Sequence, residues 1–346
     1  MRIFKKVLKW SGIALVPLAV AGFLFSQIGQ AMNRRHLAPP SREMVTIEGR
    51  QVHVMCSGQG TRVFVLESGL GGWSVYWWRI QPELAKNARV CSFDREGMGW
   101  SDRHPGAAHD GVAAAEELRM IVNAAGIPRP FYYVGHSLGA NFAQIYYSRY
   151  PNDIAGLILL EPGRPQDLLE DFHGTQQEAM KTSECTATCM AATVAGELGV
   201  TRLVAMSAPG KSFDGEWKAQ YRAGLARPSY AEAMARFYAA LPKIAYQNVA
   251  VGSFGDTPVL AFASTNPRGP EGKETEADVA RWIGEYRAYL ASIVAKSSHG
   301  MGPVLVPEST HVSMTLGKLQ AAFVVKAIEE FVSRNQEPEA AKRATK

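Results

Sequence analysis

The chain has 346 residues, of which 47% are hydrophobic and 20% charged, and its formal net charge is +5. That composition is ordinary for a globular protein, and the length fits one domain with an insertion. The charge is local: residues 1–36 hold Arg2, Lys5, Lys6, Lys9, Arg34 and Arg35 and no acid, so the remainder carries about −1 and gives no argument for a nucleic-acid partner.

Lys9 and Arg34 bracket an uncharged stretch whose most apolar part runs from Gly12 to Phe25. About 20 apolar residues span a bilayer, and this stretch approaches that length. Residues 1–36 are therefore expected to form an uncleaved membrane anchor, basic side cytoplasmic, with the rest of the chain exported to the periplasm or cell exterior. A signal peptide cleaved near Gly29-Gln30-Ala31, leaving a secreted protein, is the rival reading, and a buried helix of a soluble protein is a third. Four cysteines suit an oxidising compartment. Cys185 and Cys189, four apart, suit a local bridge, while Cys56 and Cys91 fall on predicted strands; four unpaired thiols remain the alternative. With no C-x-x-C pair and no adjacent histidine cluster, a metal site is not expected.

Ala38-Pro39-Pro40 begins a linker. Met44–Ile47 and Gln51–Cys56 read as a hairpin around Glu48-Gly49-Arg50. Arg62–Glu67 and Arg89–Phe93 are short apolar runs of the kind buried on both faces of a sheet. A helical pattern follows over Gly111–Ala125, then strand Phe131–Val134, helix Leu138–Tyr150 and strand Ala155–Leu160. Strands alternating with helices imply an α/β fold with a mostly parallel sheet. From Gly163 to about Asp256 the chain is helix-rich, which reads as a helical cap inserted over residues 163–256. Strand–helix–strand returns with Pro258–Ser264, Ala277–Val294 and Val304–Pro307, and a last helix covers Lys318–Ser333. The core is thus expected over 44–162 and 257–334, and the polar tail 335–346 reads as disordered.

Gly135-His136-Ser137-Leu138-Gly139 joins a predicted strand to a predicted helix. A serine hydroxyl is a weak nucleophile and must be held clear of the backbone beside a base. A sharp strand-to-helix turn does this, and glycines on either side relieve the crowding it creates. The same turn aims the Leu138 N–H at a bound carbonyl oxygen.

Four segments, in order, resemble the α/β-hydrolase superfamily over about residues 44–334. Glu67-Ser68-Gly69-Leu70-Gly71-Gly72 is similar to the family's oxyanion loop, although Ser68 stands where many members have histidine. Asp94-Arg95-Glu96-Gly97-Met98-Gly99-Trp100-Ser101-Asp102 resembles the D-R-x-G-x-G-x-S-D run. The serine elbow and Ser309-Thr310-His311 complete the set. The resemblance implies an eight-stranded α/β-hydrolase core with a helical cap. It also implies Ser137 as nucleophile, His311 as base and the backbone amides of Leu70 and Leu138 as oxyanion hole. Most relatives place the acid after the seventh strand, but here Ala263-Ser264-Thr265-Asn266-Pro267-Arg268 offers no carboxylate before Glu271. Some branches place it after the sixth, where this chain has Glu161; Glu161 is the expected acid and Glu271 the alternative. Asp94 and Arg95 read as turn-stabilising residues. In the family's strand order the second and fourth strands are antiparallel neighbours, which implies a Cys56–Cys91 disulfide.

The implied activity is hydrolysis of a carboxylic ester or similar small acyl substrate, with no metal or organic cofactor. Dehalogenases and epoxide hydrolases of the superfamily use aspartate where this chain has Ser137. An aminopeptidase or amidase stays open, because the triad does not separate ester from amide, and so does a non-catalytic binding protein. Trp217, Tyr221, Tyr230, Phe237 and Tyr238 in the cap suit either an apolar substrate pocket or the cap's own packing.

Overall fold

The computed structural model describes residues 2–32, 44–104, 108–170, 172–181, 187–208, 210–270, 272 and 274–344, with side chains from Val16 to Asn335. Eight strands form one sheet in the order β1-β2-β4-β3-β5-β6-β7-β8. These are β1 Met44–Ile47, β2 Arg50–Ser57, β3 Val63–Glu67, β4 Arg89–Phe93, β5 Phe131–His136, β6 Ile154–Leu160, β7 Val259–Ser264 and β8 Gly300–Val306. The β1–β2 and β2–β4 pairs are antiparallel and the others parallel. Glu48 (φ 48°) and Gly49 (φ 78°) make the tight turn of the first hairpin, the backbone twist that two-residue hairpins demand.

Alternation along the strands builds two cores. Val65, Tyr133, Leu157 and Leu159 point to one face, with Leu118, Phe142, Tyr146 and residues of the helices between β6 and β7. Phe64, Leu66, Val134, Ile158 and Leu160 point to the other, against Trp77, Ile80 and Val324, Ile328 and Phe331 of the last helix. Strands β3, β5 and β7 are buried along their whole length, as expected where helices cover both faces.

Among the described residues six helices lie between β6 and β7: Pro165–Leu168, Gln176–Lys181, Ala187–Glu197, Val200–Ser207, Gly215–Leu225 and Pro228–Val249. The last of these rests on loops of the core, since Ser229 Oγ donates to the Gly97 carbonyl (2.8 Å) and Tyr230 O–H to that of Gly71 (3.3 Å). Arg227 donates to the Gly99 carbonyl. The C-terminal helix, expected to end near Ser333, continues as backbone to Ala344; the tail is rich in Ala, Glu, Lys and Arg, which favour helix.

Two expectations about the termini and cysteines change. Residues Arg2–Met32 form a helix, but no single helix among the described residues is long and apolar enough to cross a membrane. The expected membrane span therefore finds no support. Cys56 and Cys91 face each other across β2 and β4 and form a disulfide, Cα atoms 4.1 Å apart. Cys189, by contrast, is a buried free thiol, so the Cys185–Cys189 bridge is not formed; Cys185 itself lies outside the described residues.

Candidate active site

Parallel strands deliver their C-terminal ends to one edge, which is where open α/β sheets place their sites. At that edge β5 ends in the serine turn. Ser137 has φ 53° and ψ −124° and opens the helix Leu138–Arg149. Its glycines are sterically required: a Cβ on Gly135 would meet the Gly139 carbonyl at 2.4 Å, and one on Gly139 would meet the Glu67 carbonyl at 2.3 Å. The turn thus packs directly on the loop after β3. On that loop a Gly69 Cβ would lie 2.8 Å from Ser137 Cβ, so only glycine lets the loop come this close to the serine.

Arg95, from the loop after β4, fixes the loop after β3. Its guanidinium donates to the Ser68 carbonyl (2.7 Å), to the Gly69 carbonyl and to Glu67 Oε1 (3.1 Å). Tyr133 O–H donates to the other Glu67 oxygen. Burial pushes the Glu67 carboxyl up, against the lowering effect of Arg95 and Tyr133. Asp94 does the turn-stabilising work expected of it, accepting from the amides of Ser74 (2.8 Å) and Trp100 (2.9 Å) and pairing with His53 Nδ1 (3.0 Å).

Next to β5, strand β6 is followed at once by Glu161, itself at φ 50°. The register pairs His136 with Leu160, so Ser137 and Glu161 each follow a paired residue and leave the sheet at the same level. Glu161 Oε2 lies 2.8 Å from His311 Nδ1. Its other oxygen accepts from Ser264 N (2.9 Å) and Ser264 Oγ (2.5 Å). Burial opposes ionisation of Glu161, but the His311 and Ser264 bonds outweigh it and hold the carboxyl below its usual range. The carboxylate side chain is 3% exposed whereas the His311 side chain is 38% exposed, so the imidazole has one end on a buried charge and the other open.

Thr265 and Ser309 clamp the loop that carries His311 to the end of β7 through reciprocal bonds, Thr265 N to Ser309 Oγ (3.2 Å) and Ser309 N to Thr265 Oγ1 (3.1 Å). His136 donates from Nε2 to the His311 carbonyl (2.9 Å), and the two rings lie 4.7 Å apart. Burial and the neighbouring His311 drop the His136 pKa to about 3, so it is a neutral donor. Sequence reasoning missed Ser264, Thr265 and His136 in these roles. The signals were present as a hydroxyl pair where an acid was sought, and as a histidine beside Ser137.

Among the described contacts, Ser137 Oγ makes no hydrogen bond to the His311 ring; such bonds are often long before substrate is bound. Glu271, the alternative acid, lies outside the described residues. Of the cap aromatics, Tyr221 stacks on Trp73 (5.7 Å, 14°) and Tyr230 meets it edge-on (6.0 Å). Trp217 lies by Trp78 and Phe237 by His109, whereas Tyr238 is exposed.

Sheet order, serine turn and cap define a class, and the sequence profile of the alpha/beta hydrolase fold matches residues 62–241. The chain belongs to the α/β-hydrolase fold family. Among curated proteins it is similar to a 2-hydroxy-6-oxo-6-phenylhexa-2,4-dienoate hydrolase of Burkholderia cepacia, 32% identical over 116 residues, or 33% of this chain and 40% of that protein. The chain matches less than half the length of the curated relatives. Among solved structures it is similar to a thermophilic esterase from Thermogutta terrifontis (TM-score 0.57, 19% identity, 85% of this chain and 99% of that one). A candidate epoxide hydrolase from Pseudomonas aeruginosa is also similar (TM-score 0.61, 18% identity, 87% and 98%). At these identities the likeness is one of fold, which by itself does not fix the chemistry.

Proposed function

We propose that this chain is a serine hydrolase that cleaves a carboxylic ester, or a similar small acyl substrate, through Ser137, His311 and Glu161. The observation that carries the reading is the 2.8 Å contact of Glu161 Oε2 with His311 Nδ1, one strand over from a serine held at positive φ. A carboxylate on Nδ1 fixes the tautomer that leaves Nε2 free to accept a proton. Ser137 Oγ attacks the carbonyl carbon while Nε2 takes the hydroxyl proton. The oxyanion is received by the Leu70 and Leu138 amides, the second at a helix N-terminus. Collapse expels the alcohol, which takes the proton from His311. Water then repeats the sequence on the acyl-enzyme, returning acid product and free serine.

The test is a panel of p-nitrophenyl esters of graded chain length run against aminoacyl anilides, with fluorophosphonate labelling of Ser137. Ester turnover with labelling that Ser137→Ala removes is expected. Anilide turnover above ester turnover moves the reading to an aminopeptidase or amidase. Neither turnover nor labelling overturns it in favour of a binding protein.

A further inference from the structure

The outer face of the region between β6 and β7 carries a surface without charge. In the bent helix pair Ala187–Glu197 and Val200–Ser207, which meet at 72°, Met190, Val194, Val200, Leu203, Val204 and Met206 are each 46–66% exposed. The pair's two charged residues, Glu197 and Arg202, are partly buried and engaged. Glu197 is paired to Arg103 (2.7 Å), and Arg202 stacks over Phe25 (5.3 Å). The opposite face is the packed one: Thr201 and Ala205 are buried, and Thr201 Oγ1 donates to the Ala226 carbonyl (3.3 Å).

The N-terminal helix extends this surface. It docks on the pair through small residues, because a Cβ on Gly22 would meet the Leu198 carbonyl at 2.8 Å and one on Gly29 would meet the Arg202 guanidinium at 2.1 Å. Ser26 between them is buried. Close approach over small residues is how helices associate in lipid. Val16, Leu18, Val20, Phe23, Leu24 and Ile28 remain exposed, and no residue from Trp10 to Asn33 carries a charge. Single exposed apolar residues are ordinary, but three adjoining helices with an uncharged apolar outer face mark an interaction site.

We propose that these three helices form one lipid-contacting platform, which seats the outer face of the cap in the headgroup–acyl boundary of an anionic bilayer without any helix crossing it. Charge chooses lipid over a protein partner: the platform is flanked in sequence by Arg2, Lys5, Lys6 and Lys9 on one side and Arg34 and Arg35 on the other, with no acid among residues 1–36. Basic flanks beside an apolar face are the pattern of interfacial helices. This inference does not depend on the catalytic assignment.

The test uses the full chain, with Cys185→Ala and Cys189→Ala so that the Cys56–Cys91 disulfide remains. A single cysteine replaces Met190, Leu203 or Val204, or Lys326 as a water-facing control 80% exposed on the last helix, and carries an environment-sensitive fluorophore. With phosphatidylcholine–phosphatidylglycerol vesicles, the three platform labels are expected to brighten several-fold and to be quenched by spin-labelled lipid, while the Lys326 label does neither. Platform labels that match Lys326 on vesicle-bound protein overturn the proposal. Brightening that follows protein concentration without vesicles overturns it too, in favour of a second copy of the chain. In a second arm, Leu203→Glu with Val204→Glu is expected to weaken vesicle binding by about tenfold or more, the scale set by burying two aliphatic side chains, with circular dichroism and the denaturant midpoint unchanged. Undiminished vesicle binding by this folded variant overturns the proposal.

Discussion

Two buried glutamates stand at the C-terminal ends of strands in the same sheet, and their partners give them opposite work. Glu67, closing β3, is met by Arg95 and Tyr133, both fixed donors in a sealed core. Glu161, just past β6, is met by Ser264 on one oxygen and by the half-open His311 ring on the other. Burial dominates at Glu67 and raises its pKa; at Glu161 hydrogen bonds and the imidazole charge win and lower it. A buried carboxylate beside permanent donors braces backbone, whereas one beside a titratable ring that reaches solvent can serve proton transfer.

Substitutions separate the two. The largest effect is expected at the end of the Glu161 relay: Ser137→Ala should lower kcat by roughly 10⁶, with circular dichroism unchanged. Ester turnover by the folded variant close to that of the parent would remove the relay from the account. Glu161→Gln keeps shape but loses the charge that balances imidazolium, and should lower kcat by about 10⁴. Glu67→Gln should cost no more in kcat than the about 10²–10³ of one misplaced oxyanion donor. Steady-state kinetics on both would erase the contrast if the two losses were equal.

Stability should rank the other way. Arg95→Ala strands Glu67 and frees the Ser68 and Gly69 carbonyls, and should destabilise the fold by about 3–5 kcal/mol in denaturant unfolding. A loss near zero would mean that Glu67 and Arg95 brace nothing. Histidine protonation gives an effect confined to acid pH. His136 titrates near 6.5 when unfolded and at about 3 when folded, so between those values the unfolded state binds the extra proton and stability falls as pH falls. His136→Gln, which takes no proton, should flatten the stability profile between pH 6.5 and 3. An unchanged slope would place the acid sensitivity elsewhere, for instance in Glu161, whose contribution is lost only as pH drops through its own lowered pKa. Least affected should be the Cys56→Ala, Cys91→Ala pair. Removal of a disulfide costs about 2–5 kcal/mol in small secreted domains, and the large core here should hold the loss below that range, with kcat intact.

The sequence by itself determined the order and type of the core elements. Strands such as Val63–Glu67 and Val259–Ser264 are short apolar runs buried on both faces, and the glycines around Ser137 fit no other local geometry. The serine and histidine were legible because each ends or follows a strand at the same sheet edge. What Arg95 does was not legible, since its three acceptors lie 26–28 residues upstream on a different strand's loop. The contact between Glu161 and His311 spans 150 residues, and the sequence had only a family's habits to choose between two acids. The N-terminal segment read as an independent span because hydropathy counts residues, not neighbours. Only the folded chain set Gly22 against Leu198 and Gly29 against Arg202, because close helix packing is decided by which small residues meet in space.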